Sequence, residues 1–181
     1  MASPVLQLIS EEASPQALCL SHWQTERQAK LEDKVAEMAI KFCCFSKDPV
    51  EDVTVWSESI EKLLESKAGM EAFKAFLKSE YSDENILFWE ACEEYKKISC
   101  RTEMTCEANR IYSEYVQTEA PRQINIDCKT RANITDKISE PNLESFDMAQ
   151  THVYRLMARD SYPRFLKSEF YQSVLRKYTQ S

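Results

Sequence analysis

The sequence predicts an all-α fold, and two observations support this prediction. The chain of 181 residues contains a single glycine, Gly69, whereas tight β-hairpins and phosphate-binding loops both depend on glycine. From Trp56 onward, apolar residues recur at spacings of three and four, as in helices that bury one face. Only VEDVTV at 50–55 has a weak strand-like alternation. We therefore expect a helical bundle over residues 56–178.

The helices of this bundle follow from its apolar stripes, whose residues we predict to form the core. A new stripe begins at Met70, so Gly69 is expected to end the first helix. A short helix is expected to stop before Pro141. In chain order, the stripes are Trp56, Ile60, Leu63 and Leu64; Met70, Phe73, Phe76 and Leu77; Leu87, Phe88, Ala91, Cys92 and Tyr95; Ala108, Ile111, Tyr112, Tyr115 and Val116; Ile134 and Ile138; Phe146, Ala149, Val153, Leu156 and Met157; and Phe165, Leu166, Phe170 and Val174.

Residues 1–55 are predicted to be an N-terminal extension. Residues 25–45 have the spacing of an amphipathic helix, whose apolar face carries Leu31, Val35, Met38 and Phe42. The stretch SKDPVEDV at 46–53 breaks that pattern and is interpreted as a linker.

The segment EYSDENILFWEACEEY at 80–95 carries more polar residues than a helix start requires. Ser82 is a good N-cap, and an acidic first turn suits the positive end of the helix dipole. Tyr81 and Ile86 occupy the positions of a hydrophobic staple. Capping does not explain Asn85, because a capping box prefers Glu or Gln there. Asn85 is therefore a candidate functional residue.

Two further helix ends have the same surplus of polar groups. In TEAPRQINIDCKTR at 118–131, alternation predicts that Asn125 is exposed between two buried isoleucines. Capping of the next helix by Asn125 or Asp127 is an equally good explanation. In LMARDSYPRFLKSEFY at 156–171, Pro163 predicts that one helix ends near Asp160 and another starts near residue 162, with a sharp corner between them. A local ion pair would explain Asp160 and Arg164.

Composition excludes several function classes. The net charge of −7 argues against nucleic-acid binding. No apolar stretch approaches the ~20 residues that span a bilayer, and the first residues lack a signal-peptide pattern. Seven irregularly spaced cysteines favour neither a disulfide framework nor a zinc site. We expect an intracellular protein.

Four segments together resemble the regulator of G-protein signalling (RGS) domain. They are FKAFLKSEYSDENILFWEACEEYKKI (73–98), QTEAPRQINID (117–127), SFDMAQ (145–150) and LMARDSYPRFLKSEFYQ (156–172). The resemblance covers about 56–178 and is to the small, single-domain branch of the family. It implies an all-α bundle of about nine helices in two subbundles.

The resemblance also implies a function. The family binds GTP-bound α subunits of heterotrimeric G proteins and accelerates their GTP hydrolysis, which terminates receptor signalling. The catalytic residues belong to the α subunit, so no enzyme activity and no cofactor are implied for this chain. The expected partners are α subunits of the inhibitory class, the Gq class or both. The alternative is a helical scaffold that binds proteins without activating them.

Carried over residue by residue, the resemblance implies a contact surface on the α subunit's switch segments. Asp160 is expected to accept from a switch threonine, with Arg164 orienting it. The sequence departs from the family pattern at Gln123, Ala132 and Ala158, where acidic residues are usual. The implied contact residues are Glu80, Tyr81, Ser82, Glu84, Asn85, Asn125, Leu156, Asp160, Ser161 and Arg164.

The N-terminal extension leaves membrane attachment open. Cys43 and Cys44 are candidates for S-acylation, but packing of a short hydrophobic helix end explains them equally well. Residues 27–45 carry four basic and three acidic residues, and each basic residue adds only about 1 kcal/mol of attraction to anionic lipid. We expect a cytoplasmic protein, with peripheral attachment to the inner face of the plasma membrane as the open alternative.

Overall fold

The computed structural model describes residues 52–179, and within them every regular element is helical. The all-α prediction is therefore confirmed. A 3-10 helix at Val53–Ser57 occupies the weak strand-like segment. Two π-helical turns, Tyr112–Val116 and Met157–Ser161, extend α4 and α6 respectively. The α-helices are α1 (Ile60–Glu65), α2 (Lys67–Ser79), α3 (Glu84–Tyr95), α4 (Arg101–Ile111), α5 (Cys128–Lys137), α6 (Asp147–Leu156), α7 (Tyr162–Lys167) and α8 (Glu169–Thr179).

The helices pack as two subbundles, as the resemblance implied. One contains α3, α4, α5 and α6, and its core includes Phe88, Tyr95 and Phe146. The ring of Phe146 meets those of Phe88 and Tyr95 edge-on, with centroids 6.2 and 5.3 Å apart. Eight α-helical segments between residues 52 and 179 are slightly fewer than the expected nine.

The other subbundle joins the start and the end of the described chain. It contains the 3-10 helix, α1, α2, α7 and α8. Phe165 lies at its centre, with ring centroids 5.4 Å from Phe73 and 5.3 Å from Tyr171. The Tyr171 hydroxyl also donates to the Val53 carbonyl at 3.3 Å. These contacts fix α7, which borders the candidate site described below.

The predicted apolar stripes supply most of the core. Fully burying one large apolar side chain contributes about 1.5–3 kcal/mol, so this shared interior dominates the stability of the bundle. Met70, Leu87, Ala91, Tyr112, Ile138, Leu156, Leu166 and Val174 are the stripe residues that remain partly exposed.

The prediction that Gly69 ends a helix is wrong. Gly69 lies buried in the first turn of α2, where its N–H donates to the Ser66 hydroxyl at 2.7 Å. A Cβ at this position would lie 2.5 Å from the Leu63 carbonyl oxygen. Glycine is therefore required by the close approach of α1 to α2, and Ser66 marks the boundary between them.

The predicted start of α3 is also wrong in detail. The helix begins at Glu84, after Asp83, and neither Asp83 nor Ser82 forms a side-chain cap. The Ser82 hydroxyl instead faces the Leu77 carbonyl at 3.5 Å. Tyr81 is 86% exposed, so it forms no staple with the fully buried Ile86. Tyr81 and Ser82 therefore end α2 rather than begin α3.

The chain makes no sharp corner before Pro163. Leu156, Ser161 and Tyr162 all keep right-handed helical dihedrals. The wider π turn at Met157–Ser161 carries the backbone from α6 into α7. Such a turn changes the hydrogen-bond register, which helps to accommodate a residue that has no N–H to donate.

Residues 1–51 of the predicted N-terminal extension, which include its helix at 25–45 and both Cys43 and Cys44, lie outside the described residues. Within the described part, no helix combines the length and the apolar character that crossing a membrane would require.

Candidate functional site

The first candidate segment, residues 80–85, contains the turn between α2 and α3, which is shaped by the end of α2. The N–H of Ser82 donates to Leu77 O at 3.0 Å, and that of Tyr81 donates to Lys78 O at 3.2 Å. This pair of bonds is the Schellman motif, whose left-handed position usually holds glycine. Here Tyr81 occupies it, with a φ of 55°. A bulky residue in this conformation is costly, and the motif projects its ring into solvent.

Asn85 lies beside this turn in the first turn of α3. Its Nδ2 donates to Glu84 Oε1 at 3.4 Å, which is a weak bond. Its Oδ1 is buried and has no hydrogen-bond partner among the described residues. An unsatisfied buried acceptor costs about 1–3 kcal/mol. The Asn85 amide therefore retains hydrogen-bonding capacity that the fold itself does not use.

In the segment before α5, buried and exposed residues alternate as predicted. Ile124 and Ile126 are buried, whereas Asn125 is exposed. The Asp127 carboxylate caps α5 by accepting from the Thr130 N–H at 2.9 Å. Of the two capping alternatives, the structure therefore selects Asp127. Asn125 is left with its side chain directed outward and no capping role.

Two hydrogen bonds to the π turn after α4 anchor the backbone on either side of Asn125. The N–H of Ile124 donates to Tyr115 O at 2.9 Å. Arg131 Nε donates to Val116 O at 2.8 Å, which ties α5 to the π turn after α4. Asn125 is therefore presented on an anchored segment.

The third segment is the π turn between α6 and α7. Arg164 Nη2 lies 2.8 Å from Asp160 Oδ2, so the expected local ion pair is present. Asp160 is exposed, Leu156 is partly exposed, and Ser161 is buried. Ser161 therefore supports the turn from inside, while Asp160 faces solvent.

Arg164 joins this third segment to the first. It also forms an ion pair with Glu80 in the α2–α3 turn. The pKa of the guanidinium is raised, first by its hydrogen bond to Asp160 and then by that to Glu80. One cation thus holds two carboxylates from distant parts of the chain.

Arg122 belongs to the second segment, and its Nη1 lies 3.1 Å from Glu114 Oε1. The pKa of its guanidinium is raised, first by the nearby Tyr115 hydroxyl. The charges of Glu114 and Asp83 raise the pKa of Arg122 further. Asp83 belongs to the α2–α3 turn.

The Ile124 N–H donates to Tyr115 O, and the centroid of the Tyr115 ring lies 5.7 Å from that of Phe88, so the Asn125 segment is anchored in the subbundle that contains α3. The first and third segments are joined directly by the Arg164–Glu80 ion pair.

Comparison of the sequence with known proteins identifies its family. Residues 59–174 match the family model described as "Regulator of G protein signaling domain". The chain belongs to the RGS family. Human regulator of G-protein signaling 21 is 48% identical over 133 residues, which cover 74% of this chain and 88% of that relative. Rat regulator of G-protein signaling 5 is 48% identical over 129 residues, 71% of each chain.

A third relative extends the same pattern. Zebrafish (Danio rerio) regulator of G-protein signaling 8 is 47% identical over 127 residues, covering 70% of this chain and 73% of that relative. All three candidate segments lie inside the residues that match the RGS model. The chain is therefore a regulator of G-protein signalling.

Sequence reasoning missed several members of this site in the RGS domain. It did not foresee that Glu80 pairs with Arg164, or that the charge of Asp83 acts on Arg122. Each pair joins residues far apart in the chain, and single charged residues carry no pairing signal. For Gln123, the sequence shows only a departure from the family pattern.

Proposed function

We propose that the chain is a GTPase-activating protein for heterotrimeric G-protein α subunits. The observation that carries the proposal is that Arg164 joins two polar segments, 80–85 and 156–164, by its ion pairs with Glu80 and Asp160. The third segment, 122–127, presents the exposed Asn125 on an anchored backbone. Such a surface suits a partner with several mobile loops, because it can contact them all at once. Its contribution would be to hold those loops in their reactive arrangement.

The chemistry in this proposal belongs to the α subunit. That protein supplies its own arginine to stabilise developing charge and a glutamine to orient the attacking water. The RGS surface then has to bind the transition-state arrangement more tightly than the ground state. A hundredfold acceleration corresponds to only ~2.7 kcal/mol of such preference.

The described side chains are sufficient to supply this preference. A neutral hydrogen bond contributes about 0.5–1.5 kcal/mol, and one to a charged group contributes about 1.5–3 kcal/mol. The proposed contributors are Asn85, whose amide oxygen has no described partner, Asn125, which is exposed on an anchored segment, and Asp160, which Arg164 orients. Two or three such contacts reach the required magnitude.

The test is single-turnover GTP hydrolysis by purified α subunits of the inhibitory and Gq classes, with and without this protein. We expect acceleration for at least one class. Asn125→Ala should remove most of that acceleration while the thermal unfolding temperature stays unchanged, because Asn125 is exposed and caps no helix.

Asn109→Ala is the matched control. Asn109 is also an exposed asparagine, but it lies on α4 and donates to the Thr105 carbonyl at 2.8 Å. This variant should accelerate hydrolysis as the wild type does. Unchanged hydrolysis by every α subunit tested would favour the alternative of a non-activating helical scaffold.

A further inference from the structure

Gln123 has a role in the Asn125 segment that begins with an unusual backbone position. Glu119 adopts a φ of 62°, in the left-handed region that non-glycine residues rarely enter. The N–H of Glu119 donates to Gln123 Oε1 at 2.9 Å. The side chain of Gln123 thus closes the loop by satisfying the amide of its strained residue.

This internal bond fixes which end of the Gln123 amide faces outward. A glutamine amide has an acceptor oxygen and a nitrogen with two donors. A backbone N–H can pair only with the oxygen, so the hydrogen-bond network assigns Oε1 to the loop. Nε2 is then directed away from Glu119, and no described group accepts from it. The Gln123 residue is exposed.

Gln123 and Asn125 lie on the same edge of their segment. Residues 123 and 125 are exposed, whereas Ile124 between them is buried. The exposed carboxylates of Glu119 and Asp127 flank the two amides in sequence. A partner that contacts Asn125 therefore also meets the amide donors of Gln123. The two flanking carboxylates disfavour a carboxylate of the partner at this point.

We propose that Gln123 is a specificity-determining residue, whose Nε2 donates to a neutral oxygen acceptor of the α subunit beside the Asn125 contact. A backbone carbonyl or a side-chain amide oxygen fits this chemistry. The inference rests on the proposed function. An α subunit that places a cation at this point gains nothing from the Gln123 donors and is bound less well.

Two variants separate recognition by Gln123 from its support of the loop. Gln123→Glu keeps the length and the acceptor for the Glu119 N–H but removes both outward donors and adds a negative charge. Gln123→Met keeps the length but removes the internal bond as well. Hydrogen exchange at the Glu119 amide reports whether the internal bond persists: it should stay slow in Gln123→Glu and become faster in Gln123→Met.

The decisive measurement is the acceleration of single-turnover hydrolysis, expressed as kcat/KM, for each α subunit that the wild type activates. For the preferred α subunit, Gln123→Glu should lower kcat/KM about 5- to 20-fold, as expected for the loss of a hydrogen bond to the partner. The ratio between α subunits should change in this variant, which a purely structural role would not produce. Gln123→Met should lower kcat/KM for every α subunit.

The outcomes distinguish this inference from the proposed function. If the wild type accelerates hydrolysis and Gln123→Glu equals or exceeds it for every α subunit, the recognition role is overturned. If only Gln123→Met loses activity, Gln123 merely supports the loop, and the inference is likewise wrong. If the wild type accelerates no α subunit, the proposed function fails and takes this inference with it.

Discussion

Replacing Arg164 with methionine should separate activity from stability. Arg164 holds Glu80 and Asp160, which come from two of the three segments. Methionine keeps much of the apolar stem but removes the guanidinium, so both carboxylates lose their partner. The two segments then lose their only described side-chain ion pair with each other.

The exposure of the three side chains sets the expected size of the loss of stability and of the loss of activity. The side chains of Arg164, Glu80 and Asp160 are 43%, 32% and 70% exposed. Exposed ion pairs contribute about 0.2–1 kcal/mol each, so the unfolding free energy should fall by no more than about 2 kcal/mol. Ordering a released side chain on binding costs about 0.5–1.5 kcal/mol. Two such side chains give about 1–3 kcal/mol, which is about 5- to 150-fold in kcat/KM.

The assay combines single-turnover GTP hydrolysis with urea unfolding of the same preparation. Arg176→Met is the matched control, because Arg176 pairs with Glu169 within α8, outside the three segments. The control should lose a similar small amount of stability and no activity. Wild-type activity in Arg164→Met, or an equal loss in both variants, would refute the positioning role of Arg164.

Three further predictions concern the scaffold. Gly69→Ala should lower the unfolding free energy measured in urea by about 1–3 kcal/mol, since the clash with a backbone oxygen outweighs the better helix propensity of alanine; an increase would contradict the close approach. Hydrogen bonds from the Thr130 side chain and N–H lower the pKa of Asp127, so its stabilising effect is complete above pH about 4 and is lost as pH falls through the folded-state pKa. In Asp127→Asn, the unfolding free energy should therefore fall less steeply as the pH is lowered below about 4. An unchanged pH dependence would count against the cap. Burial raises the pKa of the Cys92 thiol, so iodoacetamide followed by peptide mass analysis should label the exposed Cys100 well before Cys92 in the native protein; equal rates would show that the core opens readily.

The helices were predictable because their determinants are local. Spacings of three and four located the buried faces, and α5 ends before Pro141 as expected. The errors occurred where a tertiary contact sets the boundary. Gly69 resembles a helix stop in sequence, yet the approach of Leu63 places it inside α2. Ser82 resembles an N-cap, yet its N–H closes the Schellman motif of the preceding helix.

The candidate site was only partly predictable for a related reason. Alternation in I-N-I-D indicated that Asn125 is exposed, and the spacing of Asp160 and Arg164 indicated their ion pair. The pairing of Arg164 with Glu80 depends on how α2 packs beside α7. Likewise, the hydrogen bond from Glu119 to Gln123 depends on a left-handed residue that no sequence pattern announced.

Hydrogen–deuterium exchange of this protein with an activated α subunit tests most directly whether the three segments act as one surface. The α subunit is loaded with GDP and aluminium fluoride, which imitates the transferring phosphoryl group. We predict slower exchange in 80–85, 122–127 and 156–164 together, and little change when the α subunit carries GDP alone. Protection that omits any one of these segments, or that is equal in the GDP state, would contradict the account.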